Sequence, residues 1–394
     1  MVEWKPLNKI VKSISTGLNP RQNFILNEED ASLYYVTVKE ITTNKVIFSN
    51  STDRITENAK QIINNRSKLS KGDILFSGIG TIGKVAYVDI PTSNWDCSES
   101  VFLIKPNELE TKGKYLAYIL SSDIAKNQYE RGAAGAIMKG VRKATLESLL
   151  IPIPSLSEQT RIVGILDTFT SAIDNLKEQI AQRRKQYEHY RDQLLDLEGR
   201  EGVVMKNLGD VCTIKNGYTP STKNPDFWNN GTLPWFTLED IRKNGRILSD
   251  AIKHITPLGV KKGGLFPKQS IIVSTTATIG EYALIETDFL CNQQITCLSI
   301  KEVYKDFLLS KYLYYLSDGI GKWCQRNVNG GGSLLIVSTS KINLLPIPIP
   351  SIDEQSRIVS ILDTFEAGIA NLAAQLELRE KQYEYYRNKL LTFE

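Results

Sequence analysis

The sequence is poor in the residues that build metal sites and nucleophilic active sites. Only two of its 394 residues are histidine, His189 and His254, and its five cysteines include no C-x-x-C pair. An odd number of scattered cysteines is typical of small buried side chains in a reducing compartment. A zinc site of histidine and cysteine is therefore disfavoured, and catalysis that pairs a nucleophile with a histidine base is poorly supplied.

Long apolar runs are also missing. No stretch approaches the roughly 18 to 20 consecutive apolar residues that a membrane span needs, and residues 1–5 (MVEWK) lack the charged-then-apolar pattern of a secretory signal. The apolar fraction of 41% is ordinary for a chain that buries a core. These features predict a soluble, cytoplasmic protein of roughly two to three domains with no membrane partner.

Motifs of cofactor chemistry are incomplete. Residues 78–84 (GIGTIGK) fit G-x-G-x-x-G and most of a phosphate-binding P-loop, but Val85 follows where magnesium binding needs serine or threonine. Residues 224–227 (NPDF) lack the second proline of the N-P-P-aromatic motif of amino-methyltransferases, and no S-adenosylmethionine glycine loop accompanies them. We therefore expect a strand-turn-strand at residues 78–84, and no catalytic activity, metal or cofactor in this chain.

What the sequence does contain is an internal duplication. Residues 151–195 recur as residues 347–391 with 28 identical positions out of 45, at an offset of 196. Fainter matches precede each copy, such as residues 33–41 (LYYVTVKEI) with residues 233–241 (LPWFTLEDI). The chain thus alternates variable, constant, variable and constant blocks, which indicates domain duplication rather than a solenoid array.

Charge is divided unevenly between these blocks. Lysine and arginine outnumber aspartate and glutamate by 20 to 16 in residues 1–150 and by 16 to 11 in residues 203–345. The constant blocks are mildly acidic, with 7 basic against 9 acidic residues in 151–202 and 5 against 8 in 346–394. Basic modules on acidic connectors suit a polyanion bound by the modules and a protein bound by the connectors.

Both constant blocks predict long helices. Each follows an Ile-Pro-Ile-Pro segment and opens with a capping-box pattern, Ser155 with Glu158 and Ser351 with Glu354. Each helix would hold about 40 residues and extend about 60 Å. Apolar residues recur in alternating steps of four and three, as in a heptad seam. The candidate helix-pairing residues are Ile162, Leu166, Phe169, Ile173, Leu176, Ile180, Ile358, Leu362, Phe365, Ile369, Leu372 and Leu376.

The simplest burial of these seams is antiparallel pairing of the two helices about a pseudo-two-fold axis. The alternative is that each helix packs on its own globular block. One arginine interrupts each seam, Arg183 in the first helix and Arg379 in the second. Because an unpaired charge in a helix interface costs free energy, we expect these arginines to reach Glu188 or Glu384, or to extend into solvent.

The variable blocks predict β-rich mixed domains. Short runs of Val, Ile, Tyr and Thr are separated by Gly, Asn, Asp and Pro. Predicted strands cover residues 34–38, 74–77, 85–88, 101–104 and 271–274, and predicted helices cover residues 115–129 and 304–316. The expected fold class is α+β, with two β-rich domains joined by two long antiparallel coiled-coil helices.

Basic loop residues with aromatic or small polar neighbours are the candidates for nucleic-acid contact. Lysine and arginine would neutralise phosphates, whereas Asn, Ser, Thr and bidentate Arg can read base edges. For each of them, a solvated surface position is at least as good an explanation. The candidate DNA-binding residues are Lys84, Arg131, Lys139, Arg142, Lys143, Tyr218, Thr219, Ser221, Lys223, Lys261, Lys262, Lys268, Arg326 and Asn329.

In its motifs, the chain resembles the specificity subunit of type I restriction-modification systems. The resemblance rests on the paired I-P-x-P, E-Q-x-R-I-V and L-D motifs of the constant blocks and on their tyrosine-rich ends. Residues 217–221 (GYTPS), 233–237 (LPWFT) and 291–294 (CNQQ) are similar to a second target-recognition domain, and residues 33–37 (LYYVT) to a first.

The resemblance implies a non-catalytic DNA-binding subunit. Its target-recognition domains would cover residues 1–154 and 203–350, and its constant helical regions residues 155–202 and 351–394. Each domain would read one half of an asymmetric bipartite site in double-stranded DNA, and the helices would set the spacer. Two modification subunits would methylate adenine at N6 with S-adenosylmethionine, and two restriction subunits would add cleavage with ATP and Mg. The alternative is a coiled-coil scaffolding protein whose basic domains bind a partner other than DNA.

Overall fold

The chain divides into two compact units in the computed structural model. The first unit consists of residues 1–178 and 373–394, and the second of residues 179–372. Each unit contains one β-rich domain and one half of each of two long helices. The structure describes residues 2–42, 44–133, 140–329 and 335–393.

Strands dominate the first β-rich domain. A four-stranded antiparallel sheet in the order β2-β10-β7-β8 forms its centre, a three-stranded sheet has the order β6-β3-β9, and β1 pairs with β11. The strands and helices are β1 (Glu3–Pro6), α1 (Leu7–Ile10), β2 (Val11–Thr16), β3 (Leu33–Val36), β4 (Ile41–Thr42), β5 (Lys45–Val46), β6 (Arg54–Ile55), α2 (Glu57–Asn64), β7 (Ile74–Ser77), β8 (Val85–Tyr87), β9 (Trp95–Cys97), β10 (Val101–Pro106), α3 (Gly113–Leu120), α4 (Asp123–Ala133), α5 (Lys143–Glu147) and β11 (Leu150–Ile153).

The second β-rich domain repeats this plan. Its main sheet has the order β13-β20-β17-β18-β15, its three-stranded sheet the order β16-β14-β19, and β12 pairs with β21. The elements are α6 (Leu156–Leu195), β12 (Val204–Asn207), α7 (Leu208–Val211), β13 (Cys212–Asn216), β14 (Leu233–Phe236), α8 (Leu238–Asn244), β15 (Ile247–Leu248), β16 (His254–Ile255), β17 (Ser270–Ser274), β18 (Tyr282–Ile285), β19 (Leu290–Cys291), β20 (Ile295–Ile300), α9 (Ser310–Arg326), α10 (Thr339–Asn343), β21 (Pro346–Ile349) and α11 (Ile352–Leu391). The predicted duplication and fold class are confirmed.

Each core lies between the main sheet of its domain and the helices that cross it. In the first unit, Phe76 of β7 and Tyr115 of α3 are fully buried in one apolar cluster. In the second unit, Val273 of β17 and Tyr312 of α9 occupy the matching places. Residues 78–84 connect β7 to the antiparallel strand β8, so the strand-turn-strand prediction is confirmed and the P-loop alternative is excluded.

Two of the predicted helices have different bounds. The helix predicted over residues 115–129 is two helices, α3 and α4, because the chain turns at Ser121 and Ser122, whose hydroxyls donate to carbonyls of the preceding turn. The helix predicted over residues 304–316 begins only at Ser310 and continues to Arg326. The residue before it, Leu309, is extended, and its amide donates to a side chain of α11.

The long helices agree closely with the prediction. α6 and α11 each hold 40 residues, and the hydroxyls of Ser155 and Ser351 accept the amides of Glu158 and Glu354 at 3.3 Å. The reciprocal half of each capping box is replaced, since both glutamate carboxylates accept from an arginine three residues later. The serine caps alone therefore mark where the helices start.

A buried glutamine attaches the start of each long helix to its domain. The side-chain oxygen of Gln159 accepts the Lys112 amide at 2.8 Å, at the start of α3. The side-chain oxygen of Gln355 accepts the Leu309 amide at 2.9 Å, at the start of α9. Both glutamines are fully buried. The repeated Glu-Gln pair of the constant blocks is thus explained by a buried hydrogen bond that fixes a helix to a domain.

The first turns of each seam pack on the domain of their own unit. Ile162 and Leu166 are fully buried in the core of the first unit, and Ile358 and Leu362 are fully buried in the core of the second. This part of the seam therefore follows the alternative interpretation, in which a helix packs on its own globular block.

Later turns of each seam contact the other long helix. In the first unit, Phe169 of α6 stacks on Tyr386 of α11 with 5.3 Å between ring centroids. In the second unit, Phe365 of α11 stacks on Tyr190 of α6 at 5.5 Å. Because early residues of one helix meet late residues of the other, the helices run antiparallel in both units. The remaining candidate pairing residues, Ile173, Leu176, Ile180, Ile369, Leu372 and Leu376, are buried or half-buried.

The seam arginines lie against aromatic rings rather than against Glu188 or Glu384. The Arg183 guanidinium lies 5.9 Å from the ring centroid of Phe365, and the Arg379 guanidinium lies 5.9 Å from that of Phe169. Both arginines are exposed. Cation–π contact with the partner helix therefore accommodates the charge at the edge of the seam.

The described part of the chain contains no helix that is long and apolar enough to cross a membrane. Within the same residues, no group of three or more His, Cys, Asp or Glu side chains is placed to hold a metal ion. All five cysteines are buried free thiols, as predicted.

Candidate nucleic-acid interface

The loop after β13 begins a candidate binding edge in the second domain. Gly217 approaches the neighbouring backbone so closely that an added Cβ atom would lie 2.2 Å from the carbonyl oxygen of Cys291. The Tyr218 amide donates to that carbonyl at 2.8 Å, and the Trp235 indole donates to the Tyr218 carbonyl at 3.0 Å. Only glycine fits this approach, so the loop is held in one position against β14 and β19.

Tyr218 also holds the basic segment that follows Gly259. Its hydroxyl donates to the Gly259 carbonyl at 3.2 Å and accepts the Lys261 amide at 2.8 Å. The Lys261 ammonium lies 4.4 Å from the Tyr218 ring centroid. Two exposed cations, Lys261 and Lys262, are thereby fixed beside the loop after β13. The structure brings together three of the predicted contact residues.

Thr219 extends the edge towards Asn329. Its hydroxyl donates to the side-chain oxygen of Gln293, which is exposed. The carbonyl of the next residue, Gln294, accepts the Thr275 amide at 2.9 Å. The Thr275 carbonyl in turn accepts the Val337 amide. The Asn329 backbone amide donates to the Ile336 carbonyl at 2.9 Å. Four loops are therefore joined by hydrogen bonds along one edge of the second domain.

The first domain builds the same edge. An added Cβ atom at Gly17 would lie 1.8 Å from the carbonyl oxygen of Cys97, so this position also requires glycine. The Tyr35 hydroxyl donates to the Leu18 carbonyl at 2.6 Å, as the Trp235 indole does in the second domain. An aromatic donor from the central strand of the small sheet thus holds the loop in both domains.

Asn19 and Glu99 occupy the places of Thr219 and Gln293. The Asn19 side-chain amide donates to the Glu99 carboxylate, and Glu99 is half-buried. Neither residue is among the candidates predicted from the sequence. The signal that could have found them is the spacing Gly17-x-x-Pro20, which recurs 200 residues later as Gly217-x-x-Pro220. One edge therefore carries a carboxylate where the other carries an amide.

A buried acid lies directly behind the first edge. Asp96 is fully buried in β9, opposite Tyr35 of β3, and its Oδ1 atom accepts the Cys97 amide at 2.8 Å. Its Oδ2 atom has no hydrogen-bond partner in the described part of the chain. Burial raises the pKa of Asp96 to about 7, against smaller lowering effects of the Cys97 amide and of Lys60. The matching position of β19 is Leu290.

Three of the first-domain candidates, Lys84, Arg142 and Lys143, lie around the turn that joins β7 to β8. The Gly78 carbonyl of this turn accepts the Val141 amide at 2.8 Å, which places exposed Arg142 and Lys143 beside the turn. Lys84 is half-buried, and its ammonium donates to the Val38 carbonyl at 2.9 Å. Exposed Arg131 lies in the last turn of α4, and Lys139 lies outside the described residues.

The other second-domain candidates are exposed on three segments of the domain. Ser221 and Lys223 are exposed on the loop after β13, and Arg326 is exposed at the end of α9. Lys268 is exposed on a separate loop, where its amide donates to the Asp288 carboxylate at 2.8 Å. These side chains are available to a polyanion, whereas Tyr218, Thr219, Lys261 and Asn329 take part in the hydrogen bonds of the connected edge and Lys262 lies beside Lys261.

Comparison with known proteins identifies the family. A family model described as type I restriction modification DNA specificity domain matches residues 1–183 and again residues 200–378. The EcoR124I/EcoR124II specificity subunit of Escherichia coli is 30% identical over 415 aligned positions, covering 100% of this chain and 94% of that protein. The EcoprrI specificity subunit of Escherichia coli is 44% identical over 196 residues, covering 47% of this chain and 49% of that protein.

Solved structures show the same fold. A chain from a structure of the type I R-M system superposes with a TM-score of 0.65 at 18% identity, covering 99% of this chain and 97% of that one. The type I restriction-modification S subunit from M. genitalium superposes with a TM-score of 0.55 at 16% identity, covering 100% and 97%. With the family model matching both halves, this chain belongs to the type I restriction modification DNA specificity family.

Proposed function

We propose that the two β-rich domains of this specificity subunit each read one half of an asymmetric bipartite DNA site. One observation carries the proposal: both domains present the same hydrogen-bonded edge, with different side chains at the matched positions 19 and 219, and 99 and 293. An equal scaffold with unequal donors and acceptors suits two unlike half-sites. The domains are proposed at residues 1–154 and 203–350, and the constant helical regions at residues 155–202 and 351–394.

In the second domain, Gln293 has the chemistry to read adenine. A glutamine side chain can pair with the N6 amine and N7 of adenine in the major groove. The Thr219 hydroxyl donates to the side-chain oxygen of Gln293, which leaves one lone pair of that oxygen and both amide hydrogens for a base. The neighbouring cations Lys261 and Lys262 are placed to contact phosphates.

In the first domain, Glu99 has the chemistry to read cytosine. A carboxylate on a DNA-binding edge repels phosphates, but it can accept a hydrogen bond from the N4 amine of cytosine. Asn19 donates to one carboxylate oxygen and leaves the other available. Exposed Arg21 follows Asn19 closely and supplies positive charge for the backbone. The exposed basic candidates named above complete the phosphate contacts.

The chain is the DNA-recognition component and contributes no catalytic group. In the proposed complex, two modification subunits supply S-adenosylmethionine and adenine N6 methylation, and two restriction subunits supply ATP- and Mg-dependent cleavage. The site of action is the cytoplasm. The alternative of a coiled-coil scaffold that binds a partner other than DNA has no support from the family comparison.

The test is to express the full chain with its modification subunit and map N6-methyladenine by single-molecule sequencing. We expect one bipartite motif with unlike halves, and exchange of residues 1–154 for another first domain should change one half only. Methylation without a split motif, or a change in both halves after the exchange, would contradict the proposal.

We further propose that the long helices set the spacer. Insertion of one heptad between Ile173 and Ile180, matched by one between Ile369 and Leu376, keeps the seam in phase in both helices. We expect the preferred spacer to lengthen or recognition to be lost, measured in the same methylation map. An unchanged spacer would show that the helices do not set it.

A further inference from the structure

The first unit contains a polar cavity that the function above does not use. It has a volume of about 420 Å³ and lies among α3, β8, α6 and α11. Ala117 of α3, Thr170 of α6 and Arg387 of α11 are among its lining residues. A water molecule occupies roughly 30 Å³ in the liquid, so the cavity has room for a small molecule rather than for a single ion.

The second unit fills the matching space with its own side chains. By the internal repeat, Tyr314 stands in the place of Ala117, and Glu366 in the place of Thr170. The hydroxyls of Tyr187 and Tyr314 donate to the Glu366 carboxylate at 3.1 and 3.3 Å. The aromatic ring of Tyr314 thus stands where the first unit has the methyl group of Ala117, and the carboxylate of Glu366 stands where it has the hydroxyl of Thr170.

The repeated arginine is neutralised in the second unit only. Arg191 is almost completely buried and forms ion pairs with Asp318 at 3.1 Å and Asp192 at 2.7 Å. In the first unit the matching arginine is Arg387, and the matching carboxylates are replaced by Ser121 and Asn388. Together with position 170, three carboxylates around the arginine site have become neutral side chains.

Arg387 lacks these carboxylate partners, and the Tyr383 side chain is its neighbour instead. Its guanidinium lies 5.6 Å from the Tyr383 ring centroid, as Arg191 lies near Tyr187, but it has no ion pair in the described part of the chain. Its Nε atom is buried without a hydrogen-bond partner, and so is the Oδ1 atom of Asn44, which also lines the cavity. A buried donor without a partner is costly, which makes this atom a binding point for an acceptor.

The other cations of the cavity are already paired. The lining ion pairs are Lys45 with Asp174, Lys114 with Asp167 and Lys177 with Glu380. Two further lining carboxylates, Asp89 and Glu384, are exposed and disfavour a ligand of high negative charge. A ligand with one anionic head group and an amine matches this arrangement of one unpaired cation and exposed acids.

We propose that this cavity binds a small molecule whose carboxylate or phosphate group pairs with Arg387. The anionic group forms an ion pair with Arg387, as Asp318 and Asp192 do with Arg191. A hydrogen-bond donor on the ligand, such as its amine, donates to the buried Oδ1 atom of Asn44. In the second unit, Tyr314 and Glu366 take the places of Ala117 and Thr170, and the matching arginine is already paired with carboxylates. The cavity is distinct from the DNA-reading edges, and its test does not depend on them.

The test is isothermal titration of the full chain with 4-aminobutyrate and with O-phosphoethanolamine, each of which has an amine and one anionic group, at constant ionic strength set by sodium chloride. The two probes separate a carboxylate head group from a phosphate head group. We expect one saturable site for at least one probe at millimolar concentrations or below, and at least tenfold weaker binding in Arg387→Gln.

A second variant guards against misfolding of Arg387→Gln. Ser121→Asp supplies the carboxylate that the second unit has at Asp318, so it should form an ion pair with Arg387. We expect this variant to keep the fold and to lose ligand binding. The matched control is Lys126→Gln, which removes an exposed cation of α4 that does not line the cavity and should leave the affinity within threefold. Absence of saturable binding for both probes, or native affinity in both the Arg387→Gln and Ser121→Asp chains, would overturn the proposal.

Discussion

The two reading edges of this protein share a backbone and differ in chemistry. Gly17 and Gly217 make the same close approach to the strand beside them, and a strand aromatic donates to the next carbonyl in both domains. At the exposed end of the edge, an amide donates to a carboxylate in the first domain, whereas a hydroxyl donates to an amide in the second. Duplication kept the parts that fix the loop and changed the side chains that we propose to face a base.

A second difference lies one layer behind the edge. Asp96 of the first domain is buried where the second domain has Leu290. The contribution of buried apolar surface at Leu290 to the free energy of unfolding does not depend on pH. The contribution of the buried Asp96 carboxyl group does depend on pH, because its protonation differs between the folded and unfolded states. The comparison therefore predicts that the stability of the first edge depends on pH through Asp96, whereas Leu290 gives the second edge no such dependence.

The largest expected effect follows from this buried acid. The pKa of Asp96 is raised from 3.8 to about 7, so the folded state holds a proton that the unfolded state releases between these values. Stability is therefore fully present below about pH 4, falls as pH rises, and levels off above about pH 7, a total of up to roughly 4 kcal/mol. Asp96→Asn removes this slope and should be more stable than the native chain at pH 8.

Urea unfolding of the full chain at pH 5 and pH 8 measures that difference. The matched control is Asp30→Asn, which changes an exposed loop carboxylate of the same domain and should keep the native pH profile. Parallel profiles for the native chain and Asp96→Asn would show that the carboxyl group of Asp96 is ionised in the fold.

The next largest effect concerns the glycine that fixes the first edge. Gly17→Ala places a Cβ atom 1.8 Å from the Cys97 carbonyl oxygen, so the loop that carries Asn19 must move. We expect about 3 kcal/mol of lost discrimination, more than a hundredfold, at the first half-site only. Fluorescence anisotropy with duplexes scrambled in one half or the other measures it.

The control for this variant is Gly164→Ala, because Gly164 lies in α6 and an added Cβ atom meets nothing within 4 Å. It should bind both half-sites normally and be slightly more stable, since alanine favours helices. If Gly17→Ala reduced discrimination at the second half-site equally, the two edges would not act independently.

A smaller effect should come from exchanging the two base-reading chemistries. Glu99→Gln gives the first edge the amide of the second edge, and its preference at one position should move from cytosine towards adenine. A single bidentate contact is worth about 1 to 3 kcal/mol of discrimination, or about ten- to a hundredfold. The reciprocal variant, Gln293→Glu, should alter the second half-site alone.

Methylation mapping of both variants in cells reports the change directly. A reduced rate with an unchanged motif in either variant would assign positions 99 and 293 to loop support rather than to base recognition.

The helices and domains of this protein could be predicted from the sequence better than the residues proposed to contact DNA. Long helices with serine caps and a repeated seam are strong local signals, and α6 and α11 were placed within one residue at their starts. The break between α3 and α4 was missed because Ser121 and Ser122 are compatible with a helix, and only the packing around them decides the bend. Local propensity does not contain that information.

Asn19 and Glu99 were missed for a different physical reason. A carboxylate among basic loops is ordinarily a solvated surface residue, and its value as an acceptor is evident only once Asn19 is seen to contact it. The cavity beside Arg387 was equally hidden, because the change from Tyr314 to Ala117 is one substitution among many in the variable blocks. Contacts distant in sequence define both sites, whereas periodicity and composition describe only neighbours along the chain.

The smallest expected effects come from the cations that flank the two edges. Lys261→Ala removes a proposed phosphate contact in the second domain together with the ammonium contact to the Tyr218 ring, but it keeps the hydrogen bond that holds the loop, which the backbone amide of Lys261 makes. Arg21→Ala is the matched change in the first domain. Each should weaken binding to all sequences alike, by about 1 kcal/mol, and lower the slope of log affinity against log salt concentration by about one. If either variant altered the preferred motif but kept the salt slope, the native side chain would contact a base edge rather than a phosphate. That residue would then belong with positions 19, 99, 219 and 293, which differ between the domains, and not with the flanking cations.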